Sequence, residues 1–583
     1  MITQWGLRNF KGVKEARLAL RPLTILSGEN SSGKSTVLQS MALVAQTLAA
    51  HLERDVLVLN GHLVSLGAFA DIVPKDRPSE PLTISWTMEP QEPSDPIEEI
   101  DVASPVYETR SSTGLREIAC QVSVKGVPAT DTDGKHGNAQ RPQVVQGTLQ
   151  SVSDRDGTTS KISWADNASG SADAVVDDVG AKEVEQSLPQ STISGCELRH
   201  FLPSRLLLDV DIQLQNAILC VEAVCQKRRF YKPARVPVLR QAAPQAFVAR
   251  LRALLSEASS EIASRDNWSF AALADEIASH SSANPNLRET LISAASDLVA
   301  LLHPSNAGVL TRQSAHLPGC LPDAVSHIES FFATRFRYLG PLRDEPKSVY
   351  PYPTKVDPVE LGRRGEFTAA AYHAYRDVMV DHVDVAAEPT LGPLGPVKRV
   401  RLKEAVDAWL HYLGVATHLK SIEEKYGHIL GVSTPGGEFE MVHVGTGVSQ
   451  VLPIIVMGLL AQPDDFIAVE HPELHLHPAV QTKLADFFLF LAATGRQAVV
   501  ETHSEHIVNR VRSRTARDDS GVINGMVAVY FATVANGAAS FEAIAIDEYG
   551  AVKNWPKGFF DEAATEAEAI IRAAIDRRKS EEG

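Results

Sequence analysis

The sequence predicts an α/β fold built in two halves, with a large mixed α/β insertion between them. Three observations predict it. Residues 28–36 form a glycine-rich loop between a strand pattern and a helix pattern. Two short apolar runs, 466–470 and 497–501, each end on a carboxylate more than four hundred residues later. The chain between them changes texture, first to alternating segments with Gly/Ser/Asp-rich stretches and then to helical stripes.

The loop reads Gly28-Glu29-Asn30-Ser31-Ser32-Gly33-Lys34-Ser35-Thr36, the spacing G-x-x-x-x-G-K-[ST]. Gly28 and Gly33 allow a tight turn whose backbone N–H groups face phosphates. Lys34 reaches the β- and γ-phosphates, and the Ser35 hydroxyl can ligate Mg²⁺. Leu18, Leu20, Leu23, Ile25 and Leu26 precede it with strand character. Residues 35–51 follow as a helix with Val37, Met41, Val44 and Leu48 on one face. Strand, loop and helix in this order place phosphates at a helix N-terminus.

Composition sets the outer bounds. Single cores stop growing near about 250–300 residues, so 583 residues predict two or more structural units. With 44% hydrophobic and 22% charged residues, the chain is an ordinary globular one. A net charge of −16 argues against a uniformly basic protein that coats nucleic acid, while leaving room for a local basic patch. The five cysteines are scattered with no C-x-x-C pair, so neither a zinc site nor a redox motif is suggested, and a reducing cytoplasm is expected. The first residues read directly as a strand, Ile2 to Phe10, without the layout of a signal peptide. No apolar run reaches the roughly 18 residues of a membrane span, so no membrane partner is expected.

Taken in order, residues 1–75 read as the first half of the nucleotide domain. Residues 76–335 read as the insertion. Segments such as Leu82-Thr83-Ile84-Ser85-Trp86 predict antiparallel strands, and Asp131–Gly137 and Ala165–Asp178 predict loops. The acidic residues at 173–178 read as a solvated loop rather than a metal cluster. Lys227-Arg228-Arg229-Phe230-Tyr231-Lys232 opens the densest basic run, ending at Arg235. Cations and rings together suit nucleic acid, though a solvated loop or a subunit contact is the favoured reading. Residues 244–303 read as helices whose stripes sustain no heptad pattern. The turns around Gly340 and Gly362, which carry Arg343, Arg363 and Arg364, stand open between a nucleotide contact and a structural role. Leu402 to Leu413 is an amphipathic helix with Trp409 and Leu410 on its apolar face.

Residues 336–550 read as the second half, with 551–583 as a helical tail. Gly445 and Gly447 precede a helix expected to open near Ser449, a further anion-suited N-terminus. Phe466-Ile467-Ala468-Val469-Glu470 is a core strand, and an acid at its carboxyl end is where Mg²⁺ would be held. Gln497 to Glu501 is another core strand, followed by Thr502-His503-Ser504 with Ser504 as N-cap. Glu473, His475 and His477 carry a zinc-like spacing without an evident third ligand. They read as ordering the loop after Glu470 or meeting another subunit.

These pieces, in this order, resemble the split ABC-type AAA ATPases of the RecF, SMC and OLD branch. The implied fold is a P-loop ATPase domain whose insertion separates Walker A from the signature and Walker B half. Val444 to Gln450 is similar to the signature loop, Val469 to Pro478 to Walker B and the D-loop, and Glu501 to Ser504 to the switch-histidine segment. Trp555 to Asp561 resembles the ending of a bacterial subgroup with a C-terminal domain of unknown function. The resemblance implies ATP and Mg²⁺ as cofactors. It implies that Gly28, Asn30, Ser31, Ser32, Gly33, Lys34, Ser35 and Thr36 bind phosphates, and that Ser35 and Glu470 hold the metal. Gly447, Ser449 and Gln450 would meet a nucleotide bound by a second subunit, and His503 would sense its γ-phosphate. Family members close as head-to-tail dimers, and many serve DNA repair or anti-phage defence beside a separate effector.

Two departures shape the expected function. His471 stands where a hydrolytic acid often follows the Walker B acid, so hydrolysis would rest on a histidine or be slow. No nuclease module or long coiled coil follows. The sequence thus predicts an ATPase, with Lys34, Glu470, His471 and His503 as catalytic candidates, acting as a nucleotide-switched sensor or scaffold for a nuclease or toxin partner in anti-phage defence. The alternative is a DNA-processing ATPase that contacts DNA through Lys227, Arg228, Arg229 and Lys232, with Arg510, Arg512 and Arg514 in support.

Overall fold

The computed structural model of the chain describes residues 1–50, 56–90, 114–130, 136–166, 171–188, 191–225, 235–255, 267–281, 285–303, 310–352, 361–384, 396–535, 537–556, 560 and 562–582. It divides into two compact units. One comprises residues 1–166, 198–203 and 320–583, and the other residues 167–197 and 204–319.

The larger unit contains a six-stranded sheet. Its elements and their helices, labelled in chain order, are β1 (Leu23–Gly28), α1 (Lys34–Leu48), β2 (Phe336–Leu339), α2 (Thr446–Leu460), β3 (Phe466–Glu470), α3 (Pro478–Ala493), β4 (Gln497–Glu501), α4 (Glu505–Thr515), β5 (Val527–Ala535) and β6 (Ala538–Ile544). The strand order is β2-β3-β4-β1-β5-β6. All neighbours are parallel except the β5–β6 hairpin. The central strands are buried along their whole length, as expected where helices cover both faces. Ile467, Val469, Ala498 and Val500 join one core with α2, α3 and the helix Leu402–Leu413. Side chains alternate along a strand, so Glu470 and Glu501 point to the opposite face, where α1 packs. Within that core Trp409 is fully buried and meets Phe487 edge-on at 4.9 Å. Truncating so large a buried ring costs about 3–5 kcal/mol.

The N-terminal strands Ile2–Phe10 and Val13–Ala19 are antiparallel and do not join that sheet. Ile2–Phe10 pairs instead with Leu82–Met88, which pairs in turn with Leu115–Thr130. Trp5 stacks on Trp86 across this register at 5.7 Å and donates its Nε1–H to Ser40 on α1. Ile2 and Gln497 exchange a backbone–side-chain hydrogen-bond pair at 2.8 and 2.6 Å. The predicted antiparallel strands therefore belong with the N-terminal segment, and the compact units divide elsewhere than at 75 and 335. In the smaller unit, strand Leu310–Ala315 pairs with residues 206–211. Helices between 212 and 302 surround a separate core of Val221, Phe247, Leu251, Leu273 and Leu298.

Several local expectations shift. The stretch after α1 contains a short helix, Phe69–Ile72. α2 opens at Thr446, three residues before Ser449. The acidic stretch at 173–178 lies in a strand and at a helix start, where Asp177 caps Gly180 N–H at 2.8 Å. The basic run at 227–232 lies outside the described residues. Among the described residues, no helix is long and apolar enough to cross a membrane.

Candidate nucleotide site

β1 delivers the chain to the loop through a backbone only glycine tolerates. Gly28 has φ +136°, and a Cβ there would lie 2.0 Å from the Ala532 carbonyl oxygen of β5. The same carbonyl accepts the Glu29 N–H at 3.0 Å, fixing the loop's first peptide. Ser31 (φ 61°) and Gly33 (φ 89°) are also left-handed. Left-handed residues alternating with right-handed ones turn consecutive N–H groups inward, forming an anion nest. Gly33 is the N-cap of α1, so the helix dipole faces the same space.

Residues 30–36, together with Gly12, His471, Glu501 and His503, line a cavity of about 390 Å³. The loop glycines, the nest and the lysine fit a polyphosphate, and the volume suits a small ligand. Lys34 is buried, with its Nζ on the carbonyls of Gly28 (3.1 Å) and Glu29 (2.5 Å). Burial holds its pKa below the ordinary value, opposed by Glu501, Glu473 and Glu29. Ser32 Oγ donates to the Glu29 carbonyl at 2.8 Å, and Thr36 is buried in the first turn of α1.

The acids arrange differently from the sequence reading. Ser35 Oγ donates to Glu501 Oε1 at 2.7 Å. Glu470, its neighbour in register, accepts from the Tyr338 hydroxyl at 2.7 Å, while its carbonyl accepts from Arg343 Nη2 at 3.1 Å. Burial and the adjacent Glu501 push the Glu470 carboxyl up to about 7, against the Tyr338 hydrogen bond, His471 and Arg363. Burial also lowers Arg343, to about 10, with Glu470 opposing. Ser35 and Glu470, predicted to hold the metal together, are therefore each bonded to another group.

His471 stands at φ 46°, a conformation that costs a non-glycine residue about 1–3 kcal/mol. Its N–H bonds the Glu501 carbonyl at 2.9 Å, extending the parallel ladder by one residue. Its Nδ1 lies 3.4 Å from Glu473 Oε1 and its Nε2 3.7 Å from Glu501 Oε1. The Glu473 hydrogen bond leads in raising its pKa, with burial opposing. The ring stacks on His503 at 5.2 Å. Glu473 ties the group together by accepting from His503 N–H and Thr502 Oγ1, each at 2.8 Å. Burial works against its charge, yet these bonds and His471 hold its carboxyl below the usual range. Burial leads in lowering His503, helped by Lys34 and His471.

Gly447, Ser449 and Gln450 do not line this cavity; they occupy the first turns of α2, where Ser449 Oγ donates to the Thr446 carbonyl at 2.8 Å. Ser504 caps α4 through Ile507 N–H, as expected. The three arginines of 510–514 are engaged within the chain. Arg510 and Arg514 both grip Asp486 on α3, at 2.8 and 2.7 Å, and Arg512 bonds the Gly550 carbonyl and lies 5.1 Å over Trp555. His477 caps α3 through Ala479 N–H. Among the described residues, no group of three or more His, Cys, Asp or Glu is placed to hold a metal ion. The sequence did not single out Glu501, Tyr338 or Gly12 as site residues, and singled out Glu473 only for its zinc-like spacing. A strand-ending acid directly before Thr502-His503 was the available signal for Glu501.

Two family models match parts of the chain. Residues 1–119 and 413–508 match a family model described as AAA ATPase domain, and residues 524–570 match one described as a protein of unknown function, DUF3696. No curated protein matches. Similar solved structures include the Smc head domain of Pyrococcus furiosus bound to the C-terminal domain of ScpA (TM-score 0.34, 10% identity, 98% of this chain and 99% of that one). The SMC head domain of Thermotoga maritima is another (TM-score 0.29, 8% identity, 94% and 99%), as is that of Pyrococcus yayanosii (TM-score 0.32, 11% identity, 94% and 98%). The chain has the fold of an α/β split P-loop ATPase, its AAA-type domain interrupted by a large insertion between residues 119 and 413.

Proposed function

We propose that the protein binds ATP with Mg²⁺ at the loop of residues 28–36, hydrolyses it slowly, and uses the nucleotide state to control a partner protein. The observation that carries the reading is the cavity in which the left-handed loop, Lys34, Ser35 and two histidines converge. The loop's N–H groups and α1 receive the phosphates, and Lys34 turns from the Gly28 and Glu29 carbonyls to a phosphate oxygen. Ser35, with Glu470 behind it, would hold Mg²⁺, which would supply positive charge beside the phosphates. His503 contacts the γ-phosphate, and His471, held by Glu473, takes a proton from the attacking water. A histidine base without a carboxylate of its own at position 471 supports slow turnover and hence a switch.

Gly447, Ser449 and Gln450 stand away from the cavity of their own chain, which supports their meeting a nucleotide held by a second copy. The partner is an effector such as a nuclease or toxin, in a defence role that rests on the family resemblance alone. The commitment of Arg510, Arg512 and Arg514 to internal contacts, with a net charge of −16, favours this over DNA processing. Steady-state ATP turnover of wild type and Lys34→Ala, with and without duplex DNA at two salt concentrations, tests it. Slow turnover, lost in Lys34→Ala and indifferent to DNA, is expected. DNA stimulation that salt abolishes would favour the DNA-processing reading, and wild-type turnover in Lys34→Ala would remove the site.

A further inference from the structure

The acid nearest the phosphate loop is not the one the sequence pattern selects. β4 lies between β3 and β1. Neighbouring strands run about 4.8 Å apart, so the end of β4 adjoins the loop while the end of β3 stands roughly 10 Å from it. Glu501 ends β4 and lines the cavity, whereas Glu470 is not among the described residues that do. The Glu501 side chain is 2% exposed. Its Oε1 accepts from Ser35, and its Oε2 is buried with no hydrogen-bond partner among the described residues. Leaving a buried carboxylate oxygen unpaired costs about 1–3 kcal/mol or more, and a group left so calls for a reason.

Taking the cavity as a Mg²⁺–ATP site, as above, we propose that Glu501 is the carboxylate that completes the cation site on Ser35. Oε1 keeps accepting the Ser35 hydroxyl hydrogen, which leaves the hydroxyl lone pair free for the cation. Oε2 accepts a hydrogen from water bound to that cation. The surrounding charges fit this role: Lys34 stands within electrostatic reach and His471 Nε2 lies 3.7 Å away, while Glu473 adds negative charge that a divalent cation offsets. Glu470 is then a supporting group one strand removed, its carboxyl oriented by Tyr338.

The test separates metal binding from turnover. Affinity of the full chain for a non-hydrolysable ATP analogue is measured by calorimetry in Mg²⁺ and in EDTA, for wild type, Glu501→Gln, Glu501→Asp and Glu470→Gln. Glutamine keeps an acceptor for Ser35 and removes the charge. The Mg²⁺-dependent gain should fall about 10–100-fold in Glu501→Gln, with EDTA affinity within about twofold of wild type, and fall less in Glu470→Gln. A full wild-type gain in Glu501→Gln, or a larger loss in Glu470→Gln, overturns the proposal. If Glu501→Gln loses EDTA binding as well, Glu501→Asp decides: a reduced gain supports the role and an unchanged one overturns it. A wild-type chain that binds no nucleotide in either buffer removes the underlying site reading instead, and the proposal with it.

Discussion

Asp486→Asn tests whether the α3–α4 contact is held by charge. Asp486 lies on α3 with a side chain 3% exposed, and it receives Arg514 (7% exposed), Arg510 (21% exposed) and the Tyr412 hydroxyl. Asparagine preserves size but leaves a buried guanidinium without its counter-charge. An exposed ion pair contributes about 0.2–1 kcal/mol, and breaking a buried pair by removing one partner costs about 3–5 kcal/mol. Two of the three charged groups are almost fully buried, so the larger figure applies. Burial opposes the Asp486 charge, but its bonds to Arg514 and Arg510 prevail and hold the carboxyl below its usual range. A depressed folded-state pKa gives stability that is present above the unfolded value and lost as pH falls through the folded one. Urea unfolding of wild type and Asp486→Asn should therefore differ by about 3–5 kcal/mol near neutrality, and the gap should narrow in acid. A difference under about 1 kcal/mol at neutral pH would mean that the arginines are solvated like surface pairs. They would then again be open to phosphate contacts.

The remaining predictions concern the site itself. Gly28→Ala places a methyl 2.0 Å from the Ala532 carbonyl at φ +136°, so β1 and β5 must separate. Nucleotide affinity should fall by about 100-fold, equal to about 2.7 kcal/mol of loop distortion and within the range for backbone strain, as read by calorimetry. Glu470 has its folded pKa raised from 4.5 to about 7. That contribution is complete below the unfolded value and is lost as pH rises through the folded one. Glu470→Gln should thus be more stable than wild type in EDTA at about pH 8, by about 3 kcal/mol, and match it at about pH 4. Equal melting temperatures across that range would show that Glu470 is not held protonated.

The phosphate loop was legible because its chemistry demands specific residue types at fixed short spacing, and both helix α1 and Ser504 as cap followed from local pattern. Glu501 was not, because which acid adjoins Ser35 depends on strand order. That order brings 497–501 between 466–470 and 23–28, and no local period encodes it. Ile2–Phe10 was legible as a strand, but its pairing with Leu82–Met88, across which Trp5 stacks on Trp86, was not, because no local period names a strand's partner. Arg510 and Arg514 carried a signal that was passed over. Residues four apart share a helix face, and a buried acid on the neighbouring helix was the alternative to solvent.

β1 lies between β4 and β5, so both flanks of the nucleotide loop are supplied by residues beyond 496. During synthesis at about 5–20 residues per second, the loop waits roughly 25–100 s for Ala532 to emerge. Until then the apolar strand Leu23–Gly28 has two unpaired edges, the kind of surface that chaperones shield. Translation must pass residue 532 before the loop's first peptide meets the carbonyl that fixes it.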